Sequence, residues 1–236
     1  MALTDDIQAL TTRTLSALDA SHDYYTYTKR VWRLLQQIVK EGRKFTFRNL
    51  TTGTRVDEQV LLGRAQLYVT DYLMSSTFQH FVSLFEDFFF GLLRQWIAAY
   101  PDSLSGKQVK IGAVLKAPDK AAIILTVVDK ELNDLKYERV ADWFARLELL
   151  AELGCPTTAE IEKLAEIKAS RDILVHNHGV VNAIYVGKAG RWARYHDGER
   201  LEIPEQYHRD SWETIKKVVH ELSAAAAAKA RHSPPF

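Results

Sequence analysis

Residues 78–97, FQHFVSLFEDFFFGLLRQWI, decide the fold class. Read at 100° per residue, Phe78, Phe81, Val82, Phe85, Phe89, Leu92 and Trp96 form one broad apolar stripe, the pattern of a helix pressed into a core. The densest apolar run, Phe88 to Leu93, is far shorter than the ~20 residues a membrane helix needs, and Glu86, Asp87 and Arg94 flank it. Glu86 sits at the margin of the stripe, near Val82, Phe90 and Leu93 in projection. A carboxylate there is expected to be partly buried and to want a cation.

The same spacing extends in both directions. Upstream it reaches back to about Glu58, with an expected break near Tyr68 to Tyr72; downstream Pro101 ends it. Leu3, Ile7, Leu10, Leu15 and Leu18 predict a first helix, and Tyr24 to about Lys40 a second. Between them and the phenylalanine-rich helix lies 45-FTFRNLTTGTR-55, with Gly42 and Gly53 nearby, read as a loop or short hairpin. Residues 101–119 read as a loop. Helical signals return from Asp119 to about Leu153, where Gly154 and Pro156 supply the stop. Thr157 or Thr158 caps the next helix, Glu160 or Glu162 fills its first turn, and it should reach about His176. In 183–203 (AIYVGKAGRWARYHDGERLEI) short β-type runs are separated by Gly187, Gly190 and Asp197-Gly198, which predicts a small β-hairpin or three-stranded meander. A final helix runs from about Glu205 into the alanine run Ala224–Ala228.

The expected fold is therefore mainly α, an antiparallel helical bundle with a small β element near 183–203. One domain over 1–236 is expected, with no repeat and no linker to divide it. Residues 1–56 form a helical, basic extension, 57–182 the helical core, and 183–236 the β segment and last helix.

Composition agrees. The chain has 236 residues, 47% hydrophobic and 26% charged, with 11 Gly and 6 Pro, which is globular composition. The single cysteine, Cys155, excludes an internal disulfide framework and zinc sites built on paired cysteines. The acidic start, with Asp5 and Asp6, is unlike a signal peptide. A cytoplasmic protein with no membrane partner is expected. Formal net charge is +1, which argues against wholesale coating of a nucleic acid, yet the charge is uneven. Residues 29–55 carry Lys29, Arg30, Arg33, Lys40, Arg43, Lys44, Arg48 and Arg55 against the single acid Glu41. Such a stretch is a solvated face or a surface for phosphate backbones.

The chemistry concentrates in 170-SRDILVHNHGVVNAIY-185. Arg171 is four residues from Ile167 and from Val175, so it falls within the apolar stripe of its helix. A guanidinium there needs a partner or a ligand unless its head reaches out to solvent; Glu86 is the expected partner, the alternatives for Glu86 being solvent or Arg94. His176 follows about 140° away in projection, near the helix C-terminus. Convergence with Arg171 would need a deformed last turn or a site assembled across two chains. Gly179 permits a left-handed helix end. Other chemistries fail on their residues. Ser105-Gly106-Lys107-Gln108 resembles the end of a phosphate-binding loop, but Pro101 replaces its first glycine and Gln108 its Ser or Thr. His176 and His178 diverge at a helix end, with no carboxylate cluster to complete a metal shell. No metal or other cofactor is expected.

Arg171 and His176, with Asn177 and Gly179, resemble the R-x4–6-H motif of the HEPN superfamily. The setting is similar too: the motif ends a helix late in an all-helical chain, beside a phenylalanine-rich helix bearing Ser83-x-x-Glu86. The resemblance covers roughly residues 60–185. It implies a helical bundle that commonly dimerises, with the motifs of both chains lining one cleft. It also implies metal-independent cleavage of RNA, in toxin–antitoxin or phage-defence systems where an antitoxin or defence partner is common. Other members of the superfamily are non-catalytic binding or dimerisation modules. On the catalytic reading the candidate residues are Arg171, His176, Asn177 and Glu86. His176 would act as general acid or base, Arg171 would stabilise phosphate charge, Asn177 would hydrogen-bond phosphate or base, and Glu86 would orient Arg171. Arg43, Lys44, Arg48 and His178 are the expected RNA-binding residues. His178 stands where some toxin members carry a tyrosine that their antitoxin modifies, so that mode of regulation is not expected.

Overall fold

A computed structural model describes residues 3–43, 46–109 and 111–232. It is mainly helical, with one two-stranded antiparallel sheet among the described residues. The elements in order are α1 (Leu3–Lys40), β1 (Phe47–Arg48), β2 (Arg55–Val56), α2 (Glu58–Leu67) and α3 (Leu73–Ala99). Then come α4 (Ile111–Lys116), α5 (Lys120–Lys136), α6 (Val140–Ala151), α7 (Thr158–His176), α8 (Ala183–Ala189) and α9 (Glu205–His232).

The phenylalanine-rich segment is the centre of the molecule. Phe78, Phe81, Phe88, Phe89, Leu92 and Leu93 of α3 are fully buried. Helices α1, α9, α5 and α7 all pack on α3. One contact between α3 and α1 depends on a missing side chain. A Cβ at Gly91 would stand only 3.2 Å from Leu10 Cδ2, so glycine here permits the two helices to meet. One continuous apolar cluster runs from Leu3 of α1 to Ala230 of α9.

Local chemistry explains where the elements begin and end. The break expected near Tyr68–Tyr72 is a π turn joining α2 to α3. Asp57 caps α2 by accepting from Val60 N at 2.9 Å. The hairpin pairs Phe47 with Val56 and Arg48 with Arg55, and the Asn49 carboxamide accepts from Thr51 N and Thr52 N at its turn. At the start of α7, Glu160 accepts from Thr157 N at 2.8 Å while Thr157 Oγ1 accepts from Glu160 N, a reciprocal cap. Two tryptophans tie α6 into the bundle: Trp143 Nε1 donates to Leu135 O at 2.7 Å and Trp96 Nε1 to Leu150 O at 3.2 Å.

Three expectations need correction. Residues 101–119, read as a loop, hold a 3-10 turn at Pro101–Leu104 and the short helix α4 (Ile111–Lys116). The two N-terminal helices are one, α1, continuous from Leu3 to Lys40. The polar stretch Ser21 to Asp23 does not break it, because packing occupies it: Ser21 Oγ bonds His80 Nδ1 at 3.1 Å, and His22 stacks on Trp212 with ring centroids 4.1 Å apart. Residues 183–203 form no hairpin or meander. They hold α8, a single 3-10 turn at Gly190–Trp192, and irregular chain, with extended pairing limited to an antiparallel bridge between Val180 and Arg200. Ile184, Tyr185 and Val186 have the β propensity that suggested strands, but propensity yields to tertiary context. Asn182 caps a helix there by accepting from Tyr185 N at 3.0 Å, and Tyr185 is buried against α7 with its hydroxyl on Glu166 at 2.9 Å.

Among the described residues no helix is long and apolar enough to cross a membrane.

Candidate functional site

Arg171 lies on α7 facing α3, and its Nη2 donates to the Glu86 carboxylate. This is the partner its place in the apolar stripe called for. Nη1 donates to Asp172 Oδ1 at 3.0 Å. Lys168, one turn earlier on α7, reaches Asp172 Oδ2 at 2.9 Å and Glu86 Oε1 at 3.7 Å. Lys188 of α8 approaches Asp172 Oδ2 at 3.7 Å. Three cations and two carboxylates thus form one connected cluster. Burial pushes the Glu86 carboxyl above the usual carboxylate range, with Arg171 and then Lys168 pulling against it. Arg171 Nε is buried and has no hydrogen-bond partner.

This cluster floors an open groove of about 860 Å³ between α3, α5, α7 and α8. Glu86, Arg171 and His176 all line it. His176 is exposed and makes no hydrogen bond or ion pair among the described residues. The offset between Arg171 and His176 around α7 therefore does not put them on unconnected surfaces. The groove is not strongly basic. Arg94, Lys136, Lys168, Arg171 and Lys188 face Glu86, Asp87, Asp129, Glu138 and Asp172, five charges of each sign.

The other candidates are placed differently. Asn177 ends α7, and its Nδ2 donates to the Val180 carbonyl, so its amide helps shape the turn that follows. His178 is exposed and adopts φ +51°, and Gly179 follows at φ +79°. Gly179 N then bonds back to Ile173 O at 3.1 Å. Arg43, beyond the end of α1, and Arg48, in β1, are exposed and do not line the groove. Lys44 lies outside the described residues.

Sequence reasoning missed Lys168, Asp172 and Lys188 as members of the cluster. Spacing held a clue: Lys168 and Asp172 are an i, i+4 pair on the helix that carries Arg171. It also missed Glu166, which is buried beneath the segment 183–203. Glu166 accepts from Ser170 Oγ at 2.7 Å, Tyr185 Oη at 2.9 Å, Tyr207 Oη at 2.7 Å and Arg194 Nε at 3.0 Å. The Arg194 guanidinium also lies 3.3 Å over the Tyr207 ring.

No protein-family model, no curated protein and no solved structure matches the chain.

Proposed function

We propose that the protein is a metal-independent endoribonuclease of the HEPN type that works as a homodimer. The observation that supports this reading is that Arg171, Glu86 and His176 are walls of one open groove. The chemistry needs only groups of that kind. The ribose 2′-oxygen attacks the adjacent phosphorus as its proton passes to a neutral imidazole, and the bond from phosphorus to the 5′-oxygen breaks. The leaving oxygen takes a proton from an imidazolium. Arg171 would hold the phosphoryl oxygens as charge accumulates on them, with Glu86 fixing the guanidinium. One His176 per chain supplies one proton transfer, and the same histidine of a second copy supplies the other. The product ends in a 2′,3′-cyclic phosphate. A toxin or phage-defence setting with a cognate inhibitor suits such an activity.

The test is incubation of the full chain with mixed RNA in EDTA. Wild type should cleave and leave cyclic phosphate ends, and Arg171→Ala and His176→Ala should each abolish cleavage. No cleavage by folded wild-type protein, or undiminished cleavage by His176→Ala, would overturn the proposal. A second reading, a non-catalytic HEPN-like dimerisation or nucleic-acid-binding module, draws on a separate observation. The Arg171 guanidinium already bonds two carboxylates, in a groove whose charges balance. On that reading the wild-type protein dimerises or binds and does not cut.

A further inference from the structure

A second concavity lies between α1 and the start of α9. It is a pocket of about 260 Å³ lined by His22, Tyr25, Thr26, Lys29, Arg30, Arg33, Glu205, His208 and Arg209. None of these lines the groove. The two are well separated along α3: Thr77, which bonds His208, is nine residues from Glu86, about 14 Å along the axis and half a turn around it.

Unlike the groove, this pocket is strongly cationic, with four permanent cations against the single carboxylate of Glu205. Lys29 is the inner one. Its side chain is 8% exposed, and its ammonium pairs with Glu205 and donates to Tyr25 Oη at 3.2 Å. That one carboxylate bonds the buried lysine and also lies within electrostatic reach of Arg33 and Arg209. Arg30, Arg33 and Arg209 are exposed and make no hydrogen bond or ion pair among the described residues. Three guanidinia line one small opening, an arrangement suited to an anion.

The inner wall also holds a buried polar atom without a partner among the described residues. His208 is completely buried. The one hydroxyl hydrogen of Thr77 is directed to Leu73 O at 2.7 Å, so His208 Nε2 donates to Thr77 Oγ1 at 2.8 Å, an assignment made from the bonding network. That leaves Nδ1 as a bare acceptor with no partner. A phosphate carries what the pocket lacks: several anionic oxygens for the guanidinia.

We infer that this pocket is a binding site for a phosphoryl group, separate from the groove. The group is either free phosphate or the terminal phosphate of a nucleotide. Part of the basic stretch 29–55 thereby has a specific task, the shaping of one anion site on α1, in place of a diffuse surface.

Calorimetric titration of the full chain with inorganic phosphate, and separately with a nucleoside 5′-monophosphate, tests the inference. At least one probe should bind with Kd of about 1 mM or tighter. The exposed pair Arg33→Gln/Arg209→Gln should weaken it roughly tenfold or more, with unchanged melting temperature. Arg13→Gln, at an exposed position of α1 that lines neither concavity, should bind as wild type does. Tighter binding of the nucleotide assigns the site to a terminal phosphate, and equal binding assigns it to the free anion; both support the site. Failure of both probes, undiminished binding by the double variant, or an equal loss of binding in Arg13→Gln would overturn it. None of these outcomes depends on whether RNA is cleaved.

Discussion

Arg171 of α7 donates to Glu86 of α3 across 85 positions of sequence, with side chains only 16% and 21% exposed. Two partly buried charges hold each other at the floor of a groove, and each is the other's main compensation. Their removal is not symmetric. Burial already raises the Glu86 carboxyl, so loss of Arg171 leaves a group that protonates readily. Loss of Glu86 leaves a permanent cation with only Asp172 beside it. Glu86→Ala should therefore destabilise by about 1–3 kcal/mol, less than a fully buried pair because both groups touch water. Arg171→Ala should cost less, and its cost should shrink as pH is lowered toward 5. Urea unfolding of the single and double variants checks this, with a favourable coupling between the two sites.

His176 gives the cleanest separation of chemistry from folding. It is exposed and makes no hydrogen bond or ion pair among the described residues. His176→Ala should change stability by less than about 0.5 kcal/mol. The expected result is an unchanged thermal melt with lost RNA cleavage. A large drop in melting temperature would assign the residue to the fold.

The dimer can be tested through the same residue. If each groove uses the imidazoles of two copies, a mixed dimer of wild-type and His176→Ala chains holds only one of them, so pre-mixing wild type with excess His176→Ala protein should suppress cleavage. Sedimentation at micromolar concentration should show the dimer. A monomer throughout, with no suppression on mixing, would count against a shared groove.

Glu166 governs the segment that sequence reading misplaced. Its carboxylate accepts from Ser170, Tyr185, Tyr207 and Arg194, joining α7, α8, the chain after it and α9. Glu166→Ala strands a partly buried guanidinium and two phenols, and should cost about 3 kcal/mol. Hydrogen exchange should accelerate first across 183–203. That segment carries Lys188 to the groove, so a local opening there should also weaken whatever the groove holds.

The sequence made most helix boundaries legible because their causes are local. Pro101 stops α3, Thr157 and Glu160 cap α7 reciprocally, and α9 begins at Glu205, each within a few residues of the signal. The Arg171–Glu86 pair was legible for a related reason. A charge on an apolar stripe demands an opposite charge, and few are placed to answer. What stayed hidden depends on distant partners. The helix at Ala183–Ala189 needs Glu166 to hold Tyr185, and the continuity of α1 needs His80 and Trp212 against Ser21 and His22. The pocket around Lys29 and Arg209 brings together residues almost the whole chain apart, so only the α1 half of its charge was visible.

Acid should destabilise the protein in two separate windows. Burial lowers His208 from 6.5 to about 4, and His22 is lowered as well. As pH falls from 6.5 toward 4 the unfolded chain takes up a proton that buried His208 refuses, so stability falls; above 6.5 the contribution is complete. The full drop for His208 is on the order of 3 kcal/mol. Glu160 acts lower. Hydrogen bonds from Lys217 and Thr157 hold it at about 2, so its contribution is present above 4.5 and is lost only as pH descends from there toward 2. Glu86 works in the opposite sense. Its raised carboxyl gains a proton in the folded state first, which offsets part of the histidine loss just above 4.5. Urea midpoints measured from pH 7 to pH 5 should therefore decline, and should decline more steeply in a Glu86→Gln background. In His208→Gln, whose amide can still donate to Thr77, the decline should flatten. An equal slope in that variant would remove His208 as its cause.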